Sequence, residues 1–186
     1  MSSDEQLEPL VENVRASLAA RIRDVLEFII LMSSIAFLGL YLISASGLSP
    51  YLYIVLYLFY LAAGYDIWRA LMLHRRYSRL LSLTEAGSVE RLGKRFRLVN
   101  LVVLAFNAVF AVLILFRLVY LTPLLVSLVL YMYSRVDEEI VGAKEALAAA
   151  LLNVALSAVA FLDPGGSYVI VAVADLADLA VMKVVD

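Results

Sequence analysis

Residues 144–185 decide the fold class, and they read KEALAAALLNVALSAVAFLDPGGSYVIVAVADLADLAVMKVV. Two mostly apolar segments, 144–162 and 167–185, are separated by the turn Asp163-Pro164-Gly165-Gly166. A helix needs about 20 apolar residues to cross the roughly 30 Å of bilayer hydrocarbon, and proline followed by glycine is typical of a turn. The stretch therefore predicts two transmembrane helices that run in opposite directions.

The rest of the chain contains four further apolar segments, at about 25–45, 51–73, 98–116 and 119–135. Of the 186 residues, 64% are hydrophobic and only 17% are charged, whereas a soluble domain is roughly half apolar and about a quarter charged. This composition excludes a water-soluble globular domain and a disordered chain. We predict an all-α membrane protein, a bundle of about six transmembrane helices in one domain over residues 25–186.

Three of the connections between these segments share one sequence pattern. Ser49-Pro50, Thr122-Pro123 and Asp163-Pro164 each place a residue that favours the helix N-cap directly before a proline. Proline suits the first position of a helix because its fixed φ angle is already helical. Each pair therefore predicts the start of a returning helix, and the six spans are expected to form three helical hairpins.

The N-terminal residues 1–24 predict an amphipathic helix that precedes the first span. Apolar residues recur there at intervals of three or four, which is the helical period: Leu7, Leu10, Val11, Val14, Leu18 and Ile22. The acidic start of the chain does not fit a cleavable signal peptide, which needs a positively charged beginning. We expect this helix to lie on the cytoplasmic membrane surface; pairing with another subunit is the alternative.

The positions of the basic residues predict the orientation. Thirteen of the fifteen lie on one side of the predicted membrane: Arg15, Arg21, Arg23, Arg75, Arg76, Arg79, Arg91, Lys94, Arg95, Arg97, Arg135, Lys144 and Lys183. Basic residues concentrate on the cytoplasmic side of membrane proteins. We therefore expect a multi-pass protein of the cell membrane with both termini in the cytoplasm.

The loop at 74–97 carries seven of these basic residues. A basic segment close to a membrane attracts anionic lipid headgroups, so the candidate lipid contacts are Arg75, Arg76, Arg79, Arg91, Lys94, Arg95 and Arg97. The bias of basic residues toward the cytoplasm accounts for the loop equally well. Nothing in it indicates nucleic-acid binding, and the expected partner is a bilayer with anionic headgroups.

Two carboxylates in the last apolar segment are the strongest candidates for a functional site. Asp175 and Asp178 lie three residues apart near the middle of that segment, so a helix carries them on one face. A charged residue at the bilayer centre costs at least about 3 kcal/mol and commonly belongs to an ion or proton pathway. The alternative is structural: one acid bonds a neighbouring helix or pairs with an arginine, and the last helix is shifted inward so that both acids lie shallow in the membrane.

Three further polar residues, Asp66, Asn107 and Asn153, are predicted at a similar depth on other spans. Together with the two carboxylates they could form one buried ion-binding site. Each also has a simpler interpretation. Asp66 could pair with Arg69 on its own helix, and asparagine often joins transmembrane helices by hydrogen bonds.

Enzyme chemistry finds no support in the sequence. No catalytic motif is present, and the chain has one histidine and no cysteine, so we predict no catalytic residues, no metal and no cofactor. The leading hypothesis is a small cation- or proton-coupled transporter or channel component that uses the intramembrane carboxylates. The alternative is a non-catalytic subunit or scaffold of a membrane complex. Such a narrow bundle is expected to form a homo-oligomer or to join a larger complex.

Overall fold

The computed structural model of the chain describes residues 3–47 and 116–184 without interruption, together with individual positions between 51 and 113. The continuous stretches form four α-helices, which we number α1 to α4: Ser3–Ala45, Thr122–Ser134, Ala143–Leu162 and Ser167–Val184. A short 3-10 helix, Val119–Leu121, precedes α2. The prediction of an all-α fold is confirmed for the described residues. Two helical segments, Ala19–Ala45 and Ala143–Leu162, are long and apolar enough to cross a membrane.

Helix α1 runs without a break through residue 24, where the sequence predicted a change from a surface helix to a span. Its long apolar part already begins at Ala19. The helix ends at Ala45, and in the turn that follows Gly47 has a φ of 71°, in the left-handed region that glycine adopts without steric penalty. The segment from Ala19 onward contributes to both apolar clusters of the core.

One stripe of α1 faces the rest of the molecule. Its buried residues recur at intervals of three or four: Ala19, Ile22, Leu26, Ile30, Ser33, Phe37 and Leu40. This stripe packs against α4 in the antiparallel direction, because Arg23 contacts Met182 whereas Ser34, further along α1, donates a hydrogen bond to the Ala172 carbonyl at 3.0 Å. Helix α4 also packs against α3, so it lies between α1 and α3.

The predicted fourth span, 119–135, is divided in the structure between the 3-10 helix and α2. The prediction that the Thr122 side chain caps the returning helix is wrong. Thr122 already has helical backbone angles, and its N–H donates to the Val119 carbonyl of the preceding 3-10 turn. Because that turn satisfies the backbone at the start of α2, no side-chain cap is needed.

The turn between α3 and α4 also differs in detail from the prediction. Asp163 ends α3, and its carboxylate accepts a hydrogen bond from the Gly166 N–H at 3.2 Å, whereas α4 begins only at Ser167. Asp163 therefore stabilises the turn and does not cap the helix. A Cβ at position 166 would lie 2.5 Å from the Asp163 carboxylate, so a larger residue there would displace that side chain. The third pair with this pattern, Ser49-Pro50, lies outside the described residues.

Two apolar clusters form the core. The first combines α1, α2, α3 and the end of α4 with the α2–α3 loop, and it includes Ile22, Tyr133, Ile140 and Met182. The second lies nearer the other end of α1 and contains Phe37, Leu40, Val119, Val171 and Ala172. On each of α1 and α4, the positions between the two clusters are occupied by buried polar residues. These polar positions are the candidate site.

Candidate functional site

Helix α4 places Asp175 and Asp178 on its buried face. Both residues are 0% exposed, and Asp175 lies half-way along the helix. Ala172 and Ala174 are buried beside them, so small side chains let the neighbouring helices approach the acids closely. The sequence prediction that the two carboxylates share one face of a helix is therefore consistent with the structure.

Asp178 is held by a network that joins three helices. The Asn153 side-chain amide on α3 donates to both carboxylate oxygens of Asp178, at 3.0 and 2.8 Å. The same amide nitrogen donates to the Ser127 hydroxyl on α2 at 2.8 Å. Ser127 in turn donates to the Pro123 carbonyl, one turn earlier in α2, at 3.1 Å. Asn153 thus contacts Asp178 as the sequence suggested, and it fixes α2 and α3 to α4.

Asp175 has no comparable network. Neither of its carboxylate oxygens has a hydrogen-bond partner within the part of the chain that the structure describes. The Ser33 hydroxyl on α1 and the Asp178 carboxyl are the polar groups near Asp175. A fully buried carboxyl without hydrogen bonds is energetically unfavourable, so this residue is not explained by helix packing.

Three other polar atoms of the bundle are also buried without a partner among the described residues. They are the side-chain oxygens of Thr122, Asn153 and Ser157. Buried polar atoms normally have hydrogen-bond partners, and each exception requires an explanation. We use the name polar layer for the residues at this level: Ser33, Ser34, Ser127, Asn153, Ser157, Asp175 and Asp178.

The polar layer contains several oxygen atoms that could act as ligands, and apolar clusters enclose it on two sides. Carboxylate, amide and hydroxyl oxygens are the ligands that hard cations prefer, and a carboxylate can also take up a proton. No group of three or more His, Cys, Asp or Glu residues with metal-binding geometry occurs among the described residues. The chemistry available is therefore weak cation coordination or proton binding by one or two carboxylates.

A second charged cluster, which the sequence analysis missed, lies at the end of α4. Arg23 on α1 forms ion pairs with Glu27 at 3.5 Å and with Glu145 on α3 at 3.2 Å, and it donates to the Met182 carbonyl. Lys183 pairs with Glu27 at 3.7 Å. We call Arg23, Glu27, Glu145 and Lys183 the charged cluster.

The sequence did contain a signal for this cluster. Arg23 and Glu27 precede or begin the first predicted span, Glu145 begins the fifth, and Lys183 ends the sixth, so all four belong to the same predicted membrane boundary. The positive-inside rule uses only the basic residues at that boundary, so it gives no weight to the acids that pair with them. Glu145 also accepts a hydrogen bond from the Gly142 N–H at 3.0 Å and so stabilises the start of α3.

Only some of the remaining predicted site residues belong to the part of the chain that the structure describes. Asp66 and Asn107 lie outside the described residues, as do four of the candidate lipid contacts: Arg91, Lys94, Arg95 and Arg97. Arg75, Arg76 and Arg79 are described as helical and exposed. The structure therefore brings together three of the five predicted ion ligands, and their binding of an ion stays a prediction.

The chain matches no known protein-family model, no curated protein and no solved structure.

Proposed function

We propose that the chain is an integral membrane protein of six spans, arranged as three hairpins, with both termini in the cytoplasm. The distribution of side chains over the helix surfaces supports this proposal. The buried face of α3 consists of small and polar residues such as Ala149, Asn153 and Ser157, whereas Leu147 and Leu151 on its surface are more than 60% exposed. Large apolar side chains on the outside suit lipid, and small residues inside permit close helix packing.

The charged cluster is consistent with the proposed orientation. It lies at the end of the bundle where the basic residues concentrate, with Arg135 directly after α2 and Lys144 in the first turn of α3. The opposite end has the single exposed base Arg117 among the described residues. An excess of basic residues marks the cytoplasmic side of a membrane protein.

We infer further that the polar layer is an ion- or proton-binding site of a small cation- or proton-coupled transporter or channel component. The observation that carries this inference is Asp175, which is fully buried half-way along α4 with both carboxylate oxygens unpartnered in the described residues. Intramembrane acids commonly mark ion pathways and proton relays, and coupling-ion sites in transporters lie near the bilayer midplane. Asp178 and Asn153 would serve as neighbouring ligands, and Asp66 and Asn107 are the further candidates.

A second function, that of a non-transporting subunit or scaffold, is favoured by a different observation. The Asp178 carboxylate is fully engaged by Asn153, and Ser127 extends this network to α2. A network of this kind can serve helix packing alone, since polar side chains hydrogen-bond across helices to specify their contacts. Asp178 therefore suits both functions, whereas Asp175 favours ion binding.

Flux measurements in proteoliposomes test the proposal. Wild type, Asp175→Asn, Asp178→Asn and the double variant are compared for proton flux, with an entrapped pH-sensitive dye, and for sodium and potassium flux. We expect flux in the wild type and a decrease of about tenfold or more in Asp175→Asn, equivalent to about 1.4 kcal/mol in the barrier. Asp163→Asn is the matched control, because Asp163 is exposed in a turn and an asparagine oxygen can keep its bond to Gly166.

Each outcome of the flux experiment decides between the two functions. Normal flux in both single variants and in the double variant would eliminate the acids as the ion site. An absence of flux for every ion in the wild type would favour the subunit function. The mass of the purified protein in detergent gives its oligomeric state, which we expect to exceed one copy because a bundle of this size is narrow.

A further inference from the structure

A pocket of about 430 Å³ lies away from the polar layer, between α1 and the helical residues near position 70. Its walls include Arg21 and Asp24 from α1, and Trp68, Arg69 and Arg76 from the second segment. Arg21 and Asp24 are three residues apart, and Arg69 and Arg76 are seven apart, so each pair lies on one helical face. The pocket is therefore formed by two helical faces that lie opposite each other.

The charge of the pocket is strongly unbalanced. Among the described residues that line it, Arg21, Arg69 and Arg76 contribute three guanidinium groups against the one carboxylate of Asp24. Within the part of the chain that the structure describes, none of these four side chains takes part in an ion pair or a hydrogen bond, and all four are exposed. Three converging guanidinium groups form an electropositive site that suits an anion.

The apolar side of the pocket shows where it lies relative to the bundle. Leu73 lines it and also packs against the first apolar cluster, the one that contains Met182. Arg21 and Asp24 flank Arg23, which belongs to the charged cluster. Trp68 lines the pocket next to Tyr65, with ring centroids 6.1 Å apart, and Trp and Tyr rings favour the headgroup level of a bilayer. In the proposed membrane orientation, the pocket faces the headgroups of the cytoplasmic leaflet.

We propose that this pocket binds the phosphate group of an anionic lipid headgroup. Phosphate oxygens accept paired hydrogen bonds from the planar guanidinium groups of arginine. Leu73 and Trp68 supply the apolar surface that the glycerol and the upper acyl chains of a lipid would cover. Because a soluble phosphate ester has the same charged group but no such chain, the apolar wall favours the lipid. The proposal rests on the proposed membrane orientation but not on the ion site. The ion-flux test and the lipid-binding test can therefore fail independently of each other.

The single tryptophan of the chain makes the binding measurable. Trp68 fluorescence is recorded in bilayers of phosphatidylcholine mixed with phosphatidylglycerol, with bromine quenchers on the acyl chains of one lipid at a time. The ratio of the two quenching curves gives the binding preference for the anionic lipid. We expect a clear preference in wild type, and a loss of about fivefold in Arg69→Gln and in Arg76→Gln, equivalent to about 1 kcal/mol per base.

Two matched variants distinguish a defined site from general surface charge. Arg135→Gln removes the same charge from an exposed residue of the cytoplasmic end that does not line the pocket, and it should leave the preference unchanged. Asp24→Asn removes the carboxylate that the described wall of the pocket contains, so it should increase the preference. Equal losses in Arg135→Gln and Arg69→Gln, or no increase in Asp24→Asn, would overturn the proposal.

A soluble-ligand arm identifies the source of the phosphate. Glycerol phosphate and inorganic phosphate are titrated onto the protein in a non-ionic detergent while Trp68 fluorescence is followed. Weak or no response to both, together with the lipid preference in bilayers, supports the headgroup. Saturation by a soluble phosphate at micromolar concentration without any lipid preference would assign the pocket to a soluble ligand and contradict the proposal.

Discussion

The charged cluster and the polar layer each contain a buried carboxyl group, but the two groups differ in their hydrogen-bond partners. In the charged cluster, buried Glu145 forms an ion pair with Arg23 at 3.2 Å and accepts a hydrogen bond from the Gly142 N–H at 3.0 Å. In the polar layer, Asp175 is equally buried but has no hydrogen-bond partner among the described residues. The two sites lie only about 10 Å apart along α4, given a rise of 1.5 Å per residue from position 175 to 182.

This difference separates a structural use of buried charge from a functional one. The burial of Glu145 has a structural explanation, because its partner Arg23 connects α1 with α3 and with the end of α4. Asp175 forms no hydrogen bond that joins two helices within the described part of the chain, and helix packing would be better served there by an apolar residue, because a buried charge without a partner is unfavourable. Asp178 is intermediate, because it is buried like Asp175 but accepts two hydrogen bonds from Asn153.

Removing Arg23 is the largest change that this comparison predicts. Arg23→Met would leave the Glu145 carboxylate buried without its basic partner, and breaking a buried ion pair in this way costs about 3 kcal/mol. We expect a corresponding loss in the free energy of unfolding, measured by titrating dodecyl sulfate into mixed micelles and following the helical circular dichroism. The double variant Arg23→Met, Glu145→Gln should recover part of the loss, because glutamine can still accept the Gly142 N–H. An unchanged single variant would mean that Glu145 tolerates burial alone.

The two acids of the polar layer should respond in opposite directions to the same substitution. Asp178→Ala removes the acceptor of the Asn153 amide, and we expect a loss of about 1 kcal/mol, as for other side-chain hydrogen bonds between membrane helices. Asp175→Ala removes a carboxyl without hydrogen bonds, so stability should be unchanged or higher by about 1 kcal/mol. The same unfolding titration measures both variants. A large loss of stability in Asp175→Ala would show that its carboxyl is structural, and the comparison with Glu145 would fail.

The outermost pair of the charged cluster should contribute least. The Lys183 side chain is 67% exposed and lies 3.7 Å from Glu27, and exposed ion pairs of this kind contribute about 0.5 kcal/mol or less. We therefore expect Lys183→Met to leave the unfolding midpoint nearly unchanged at physiological salt. An effect comparable to that of Arg23→Met would mean that the four residues act as one coupled network. Burial would then not determine how much each residue contributes to stability.

Much of this architecture follows from local features of the sequence. The boundaries of α3 and α4, at Ala143–Leu162 and Ser167–Val184, agree with the predicted segments 144–162 and 167–185 to within one residue. Hydropathy and turn residues suffice for such boundaries because both depend on neighbours along the chain. The predicted caps at Thr122 and Asp163 were less accurate, since the exact position of a helix start depends on the turn that leads into it.

The sequence alone determined the helical class of the protein, the two acids on one face of α4 and the concentration of basic residues toward one end. Only the tertiary structure decided that Asp178 is bonded to Asn153 while Asp175 is left unpartnered in the described residues, and that Arg23 reaches Glu145 across 122 positions of sequence. The physical reason is that periodicity fixes which face of one helix a residue occupies, whereas a pair between helices depends on their relative rotation and depth. Those two quantities are set by how the small residues of each helix pack against the next one.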